Sequence, residues 1–417
     1  MAQLSDDCFA FGGDLMPVHA ALDLLRRRVA PVAVAEMVPL AAALGRVLAE
    51  DVVAPFDVPP HDNSAVDGYA VFFDDLTADG ETVLPVTGRV AAGHLLGRDG
   101  RRGEAVRIFT GAPMPAGFDT VLMQEDCRID GNAVTIPPGI KRGANRRKAG
   151  EDVTRGAVVL NAGRRLRPED IGLAAALGRK ELPVRRPLRA AVFSTGDEVR
   201  EPGQELPQGC IYDANRFALL AVLRQLGCEV TDLGILPDSL DTIRDALQAA
   251  SSEHDVLVTS GGMSTGDEDH VKAAVEALGS LHFWRLAIKP GRPVALGQVG
   301  TAVFVGLPGN PVAVMITFLR IARPILLRLM GAEESEPRLF PVRAGFAYKK
   351  KPGRREYVRA TLTRDADGVL TAVKHPRDGA GILSSMVESD GLVELPEDLS
   401  RLEPGTMVEF LPFSEVR

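Results

Sequence analysis

The sequence predicts a multidomain protein of the α/β plus β class, with a doubly wound α/β domain near its centre. Three observations lead there. The chain has 417 residues, too many for one ordinary domain, so roughly two to four are expected. Between Pro187 and about Met330, apolar strand-like runs alternate with segments of helical periodicity. On both sides of that stretch the chain is β-like and broken by turn sequences.

In chain order, PVHAALDLLRRRV (residues 17–29) sets Val18, Leu22, Leu25 and Val29 on one helical face. From Pro55 to about Thr154, short runs such as GYAVFF, AVRIFTG and TVLMQED lie between Gly- and Pro-rich turns. That is the pattern of a β-rich, loop-heavy domain. GAVVLNAGRRLRPEDIGLAAALG (156–178) returns to a strand and then a helix, with Pro168, Glu169 and Asp170 suited to its first turn.

PLRAAVFST then reads as a continuous apolar strand. Leu219, Leu223 and Leu226 share a helix face, with Gly227 just past its end. CEVTDLGIL is the next strand, and Ile243, Ala246, Leu247 and Ala250 form the next helical stripe. DVLVTS is followed by the stripe Val271, Ala274, Val275 and Leu278. FWRLAI, PVALG and AVFVG read as strands, with Phe283 and Trp284 expected in the core. NPVAVMITFLRIARPILLRLM reads as one helix, with Asn310 as N-cap and Pro311 at its first position. Such alternation predicts a mostly parallel sheet with helices on both faces. After Gly331, GRREYVRATLTRDADGVLTAVKHP reads as a hairpin turning at DADG, followed by GLVELPED and GTMVEFLPF. A small β-barrel or sandwich is expected there.

Composition narrows the function classes. The balance of 45% hydrophobic and 25% charged residues is that of a soluble globular protein. No apolar run reaches the roughly 18 residues of a membrane span. The N-terminal MAQLSDDCFAFGG has no basic region before an apolar core, so no secretory leader is expected. Cys8, Cys127, Cys210 and Cys228 are scattered and form no CxxC. A disulfide scaffold or zinc site is therefore not expected, and a reducing cytoplasm fits. The net charge of −8 implies no general attraction to nucleic acid or anionic membrane. An anionic ligand then needs a local basic site.

Ligands of open α/β sheets bind at the carboxyl ends of the strands. The loops after the expected strands are STGDE (194–198), SGGMSTGDED (260–269), KPGRP (289–293) and LPGNP (307–311), and all four are expected to converge. Their glycines let main-chain N–H groups approach an anion. Helix starts near His270 and Pro311 add partial positive charge. Lys289 and Arg292 can neutralise an oxyanion. Asp197, Glu198, Asp267 and Asp269 are hard oxygen donors suited to Mg²⁺. SGGMSTGDED alone reads equally well as a turn with a solvated tip, and STGDE and LPGNP alone read more readily as turns; their convergence favours a phosphate-plus-metal site. GxxxxGK[ST], a strand-borne GxGxxG and HExxH are absent from the sequence. A second polar cluster lies in FDVPPHDNSAVDGYAVFF (56–73), with RIFTGAPMPAG (107–117) and NRRKAGED (145–152).

Taken together, DNSAVDGYAV, TGAPMPAGFDTVLMQED, AGEDV, FSTGDEV, YDANR, SGGMSTGDEDHVK, FWRLAIKPGRP and GLPGNPVAVMITF resemble the molybdopterin molybdenumtransferase family. This is the family of bacterial MoeA and of the gephyrin E domain. The resemblance runs in order from about residue 17 to about residue 412. It implies a central α/β domain of the molybdenum-cofactor-biosynthesis type (185–331), a β-rich lid domain (56–154), an elongated linking domain (17–55 with 155–184) and a C-terminal β-barrel (332–417). It implies Mg²⁺-dependent insertion of molybdate into adenylylated molybdopterin, with release of AMP. It implies a homodimer whose site is shared between subunits. A molybdopterin adenylyltransferase and molybdoenzyme-maturation proteins are implied partners, and neither nucleic acid nor membrane is.

By matching motif positions, Asp67, Asp152, Glu198, Asp238, Asp269 and Lys289 are the expected catalytic residues. Thr110, Arg147, Gly261, Gly262, Ser264, Arg285, Arg292, Pro308 and Ser384 are expected against the substrate. Glu198, Asp267 and Asp269 are expected to hold Mg²⁺, with the division of carboxylates between Mg²⁺ and molybdate left open. Arg285 and Arg292 stand where relatives commonly carry Lys, so a planar fork replaces a compact ammonium. Ala149 stands where another basic residue is frequent. Two other readings stay open: adenylyl transfer from ATP to molybdopterin, and a non-catalytic dimeric scaffold.

Overall fold

The computed structural model describes residues 15–261, 270–333 and 336–416. Among these, a six-stranded sheet runs in the order Glu229–Leu236, Arg189–Thr195, Val256–Ser260, Ala302–Leu307, Pro293–Val299, Gly279–Arg285. The first four strands are parallel, and Pro293–Val299 runs antiparallel to both its neighbours. Side chains of a strand alternate between faces. In RAAVFST, Ala190 and Val192 join one core while Ala191 and Phe193 join the other. Both faces are apolar because both are covered. The helices Val18–Arg28, Ala214–Leu226 and Pro311–Thr317 pack on the first face, and Leu240–Glu253 and His270–Leu278 on the second. This is the doubly wound arrangement that the alternation predicts.

Two expected elements are divided. The helix from Pro311 is α-helical to Thr317, forms a π-turn over Phe318–Ala322, and is α-helical again over Arg323–Leu329. Pro324 lacks an N–H and its ring crowds the carbonyl of the preceding turn, which the wider π-turn accommodates. FWRLAI is also split. Gly279–Arg285 stays in the α/β sheet, whereas Ile288–Lys289 pairs in parallel with Arg355 and Glu356 of the C-terminal sheet. The Ala287 amide donates to the Met16 carbonyl at 2.7 Å, and the Arg355 amide to the Ala287 carbonyl at 2.8 Å. The backbone groups released from one sheet thus find partners in two other elements. The side chains of Phe283 and Trp284 lie outside the described residues.

C-terminal to this, Arg355–Arg364, Leu370–Lys374, Phe340–Ala344, Met407–Pro412 and Gly391–Leu395 pair in that order. Gly391–Leu395 then returns to Arg355–Arg364 and closes a barrel, which leaves no open edge. The DADG hairpin is held by Asp365, whose Oδ1 accepts from the amides of Asp367 (3.0 Å) and Val369 (2.9 Å). Barrel residues Tyr357, Leu392, Leu411 and Phe413 share the hydrophobic cluster of the 311–329 helices. Arg320 bridges the two parts, donating to the Tyr357 hydroxyl at 3.2 Å and lying 3.2 Å from the Glu394 carboxylate.

N-terminal to the α/β sheet, Ala35–Pro39 pairs with Glu181–Arg185 and Val52–Val53 with Val158–Leu160. Leu48, Leu160, Leu166, Leu177 and Leu182 pack together there. Between these two stretches of chain, a second sheet runs Thr120–Met123, Gly68–Val71, Ala105–Ile108, Thr82–Val90, Ala133–Ile136, Arg128–Asp130. A Cβ on Gly68 would sit 1.7 Å from the Leu122 carbonyl oxygen, so this register admits only glycine. Beside this sheet the buried Glu104 accepts from Arg98 (2.6 and 3.0 Å), the Thr87 hydroxyl (2.6 Å) and the Arg101 amide (2.8 Å).

Two outcomes follow for stability. Gly68→Ala should destabilise the protein by about 3 kcal/mol or more, because the clash is with backbone that cannot yield; a chemical-denaturation midpoint equal to wild type would contradict the register. The Arg98 hydrogen bonds chiefly, outweighing burial, hold the Glu104 pKa at about 2 against an ordinary 4.5. A lowered carboxylate pKa stabilises the fold above the unfolded value, and that contribution vanishes as pH falls from about 4.5 to about 2. Glu104→Gln should therefore be less stable than wild type at neutral pH and approach it near pH 2. A gap of constant size across that range would show that Glu104 titrates normally.

Candidate functional site

A cavity of about 370 Å³ opens at the carboxyl ends of Arg189–Thr195 and Val256–Ser260. Ser194 and Thr195 end the first of these strands and line it. The chain then turns at Gly196, whose φ of +129° suits glycine. A Cβ there would lie 2.6 Å from Glu198 Oε2, so the missing side chain makes room for the Glu198 carboxylate on the cavity wall. Ser260 ends the second strand and Gly261 follows it, both on the cavity wall. The Gly261 amide donates to the Leu307 carbonyl at 3.1 Å, and a Cβ on Gly309 would be only 3.6 Å from Gly261 Cα. The two loops therefore meet backbone to backbone. Asp238, two residues beyond Glu229–Leu236, completes the acidic side.

Beside Glu198, Ile211–Tyr212 pairs in parallel with Val199–Arg200. The Ile211 amide donates to the Glu198 carbonyl at 2.8 Å, and the Asp213 amide to the Arg200 carbonyl at 2.9 Å. The Tyr212 hydroxyl donates to the Gln204 carbonyl at 2.9 Å, holding its ring in the wall. Asp213 caps the helix Ala214–Leu226 by accepting from the Arg216 amide at 3.1 Å. Asn215 donates to the Gly309 carbonyl at 2.7 Å, tying this helix to the LPGNP loop. Behind Asp213 lies Arg216, 1% exposed. It is ion-paired to Asp213 at 2.9 Å and also to Asp232 and Glu201. Burial acts against its charge, but the three carboxylates outweigh burial and raise its pKa above the ordinary guanidinium value.

The expected residues fall into separate groups. Glu198, Asp238 and Gly261 line the cavity. Pro308 is buried in the loop beside it. Gly262, Ser264, Asp267 and Asp269 lie outside the described residues. The KPGRP loop does not line the cavity, contrary to the expected four-loop convergence. It follows Ile288–Lys289, which belongs to the C-terminal sheet, and leads into the one reversed strand. Lys289 Nζ donates to the buried Glu356 at 3.0 Å. Arg285 and Arg292 are exposed outside the lining, and the Arg292 carbonyl accepts from the Leu286 amide at 3.0 Å. Ser384 accepts from Arg377 at 2.9 Å. The helix start at Pro311 is not a free anion site, because the Val312 amide donates to the Ala380 carbonyl at 2.9 Å. Asn310 makes no side-chain cap bond there.

A second group forms on the N-terminal sheet. Asp67 Oδ1 accepts from both the amide (2.8 Å) and the hydroxyl (2.7 Å) of Thr110. These bonds, the amide first, lower the Asp67 pKa. Arg147 pairs with Asn63 in a short ladder, and the Asp152 amide donates to the Val58 carbonyl at 3.0 Å. No residue of 56–154 lines the cavity. Among the described residues, no group of three His, Cys, Asp or Glu side chains forms a metal site, and no helix is long and apolar enough to cross a membrane.

Sequence reasoning missed Tyr212, Asp213, Asn215 and His270 as lining residues. A signal existed in YDANR, where an Asp three residues before Arg216 is a cap pattern at a strand end.

Comparison with known proteins places the whole arrangement. Residues 16–178 match the MoeA N-terminal region (domain I and II), residues 191–328 the probable molybdopterin binding domain, and residues 341–413 the MoeA C-terminal region (domain IV). The molybdopterin molybdenumtransferase of Haemophilus influenzae is 38% identical over 383 residues, covering 91% of this chain and 94% of the relative. Gephyrin of Dictyostelium discoideum is 30% identical over 423 residues, covering 90% of this chain and 59% of gephyrin. The crystal structure of molybdopterin biosynthesis moeA protein from Pyrococcus horikoshii OT3 superposes with a TM-score of 0.82 at 31% identity, covering 95% of this chain and 99% of that one. With every region of the fold matched in order, this chain belongs to the molybdopterin molybdenumtransferase family, a family of transferases.

Proposed function

We propose that this protein inserts molybdate into adenylylated molybdopterin with release of AMP, and that Mg²⁺ assists. The family carries the role in molybdenum cofactor biosynthesis. The observation that supports the finer reading is the cavity at the strand ends, with the Glu198 and Asp238 carboxylates on its wall.

The substrate is polyanionic. Gly196 and Gly309 leave the main chain uncovered along the cavity, where phosphate oxygens can reach amide hydrogens. Glu198 and Asp238 are hard oxygen donors, exposed and without a side-chain ion pair or hydrogen bond among the described residues. That donor set fits Mg²⁺, which commonly takes one or two carboxylates plus substrate oxygens. Glu198 and Asp238, with Asp267 and Asp269 of the following loop, are the residues that would hold it. When bound, Mg²⁺ neutralises charge on the phosphoanhydride. Asp67, kept ionised by Thr110, is a weak base; it orients the attacking oxygen rather than removing its proton.

We assign the complete site to two copies of the chain, the Asp67 group of one facing the cavity of the other. What supports this is that one chain does not bring the two groups together. The cytoplasm is the proposed compartment, in keeping with the free thiols Cys127, Cys210 and Cys228. A molybdopterin adenylyltransferase would supply the substrate, and molybdoenzyme-maturation proteins would receive the product.

The test is AMP release from adenylylated molybdopterin, with and without molybdate and Mg²⁺. Release that needs both is expected. Pyrophosphate release from ATP would point to adenylyl transfer instead, and binding without release would point to a scaffold. Glu198→Gln and Asp238→Asn should each lower kcat about 10²-fold while the protein stays folded. Mixing Asp67→Ala with Glu198→Gln subunits should restore about a quarter of wild-type activity, because half of randomly paired dimers then hold one intact site. A mixture as inactive as its parents would reject the shared site.

A further inference from the structure

We propose that Glu201 is a positioning residue for Glu198, and that the buried Arg216 is the post to which it is tied. The inference rests on the role given to Glu198 above.

Arg216 is among the largest fully buried side chains. A buried guanidinium must be paired to be tolerated. Asp213, on the cap of its own helix, and Asp232, on the neighbouring edge strand, already supply two negative charges. The ion pair to Glu201 is a third, more than charge balance requires. Glu201 itself is 40% exposed in its side chain, so water would solvate it if the pair were absent. The pair is therefore not needed to bury Glu201 or to neutralise Arg216. What it does is hold a loop.

That loop begins at Gly196, whose φ of +129° favours glycine, and passes through Glu198 to Glu201. Two backbone bonds also tie it to the strand and cap that precede the Arg216 helix. Glu198 is bonded through its carbonyl to Ile211, and Arg200 through its carbonyl to Asp213. The Arg200 guanidinium turns back on the carbonyls of Asp197 (2.7 Å) and Val199 (2.8 Å) and leaves the loop's outward hold to Glu201. Two side-chain bonds fix the guanidinium against the cap of its own helix and one strand, and the third reaches out to Glu201. A planar fork held in this way is a rigid reference. Without the Glu201 arm, the segment carrying Glu198 keeps those two backbone bonds and loses its side-chain hold on Arg216.

Glu201→Gln keeps the size and removes the charge. It should leave thermal stability close to wild type, since the residue is at the rim. It should lower kcat for AMP release about tenfold in the wild-type background and have little further effect in the Glu198→Gln background, because the two act as one unit. Hydrogen exchange should rise about tenfold in peptides spanning 194–202 and 208–214, a readout independent of turnover. Equal losses of kcat in both backgrounds, or unchanged exchange, would overturn the tether. Should wild-type protein release no AMP, the reaction assigned to the cavity fails, while the exchange result still decides the tether.

Discussion

The arrangement of this protein depends on the burial of parallel strands on both faces. Arg189–Thr195, Val256–Ser260 and Ala302–Leu307 lie side by side, with apolar residues pointing alternately into two cores. A strand covered on both faces cannot slip by one residue without exposing one apolar set. Register and direction are therefore held firmly, and the loops at the carboxyl ends are brought to one edge. The cavity follows from this constraint, because Thr195, Ser260 and Gly309 reach it by being at strand ends.

The polar groups of the site are added to that frame under a second constraint. A buried charge is tolerated only when paired. Arg216 satisfies the rule with Asp213, Asp232 and Glu201, and in doing so joins the helix start, the sheet edge and the Glu198 loop. By contrast Glu198 and Asp238 remain exposed to the cavity, available to a ligand. One set of carboxylates gives the region its shape, and another is left for chemistry.

The C-terminal barrel is bound to the α/β part by more than a linker. Ile288–Lys289 extends its sheet, Arg320 reaches its Tyr357 and Glu394, and the Ala380 carbonyl occupies the amide at the start of the 311–317 helix. Lys289, which motif spacing alone would put in the α/β cavity, sits instead at this seam with Glu356.

By itself the sequence determined the class of fold and most of its elements. Strand and helix periodicity, Gly227 after a helix and the DADG turn are local signals, carried by neighbouring residues through backbone geometry. Glu198 and Gly261 were legible as site residues because a strand end followed by glycine and acid is also local, whereas Asp238, in ILPDS, was reached only through the family resemblance. Tertiary structure decided the rest. Whether KPGRP joins the cavity depends on strand order and on the reversal of Pro293–Val299, which no single segment encodes. The partners of Arg216 come from positions 201, 213 and 232, and their meeting depends on how the sheet edge packs on the helix. The Ala380 carbonyl reaches Val312 across almost seventy residues of chain. Such contacts are long-range, and only the packed cores bring them within the few ångströms over which hydrogen bonds and ion pairs act.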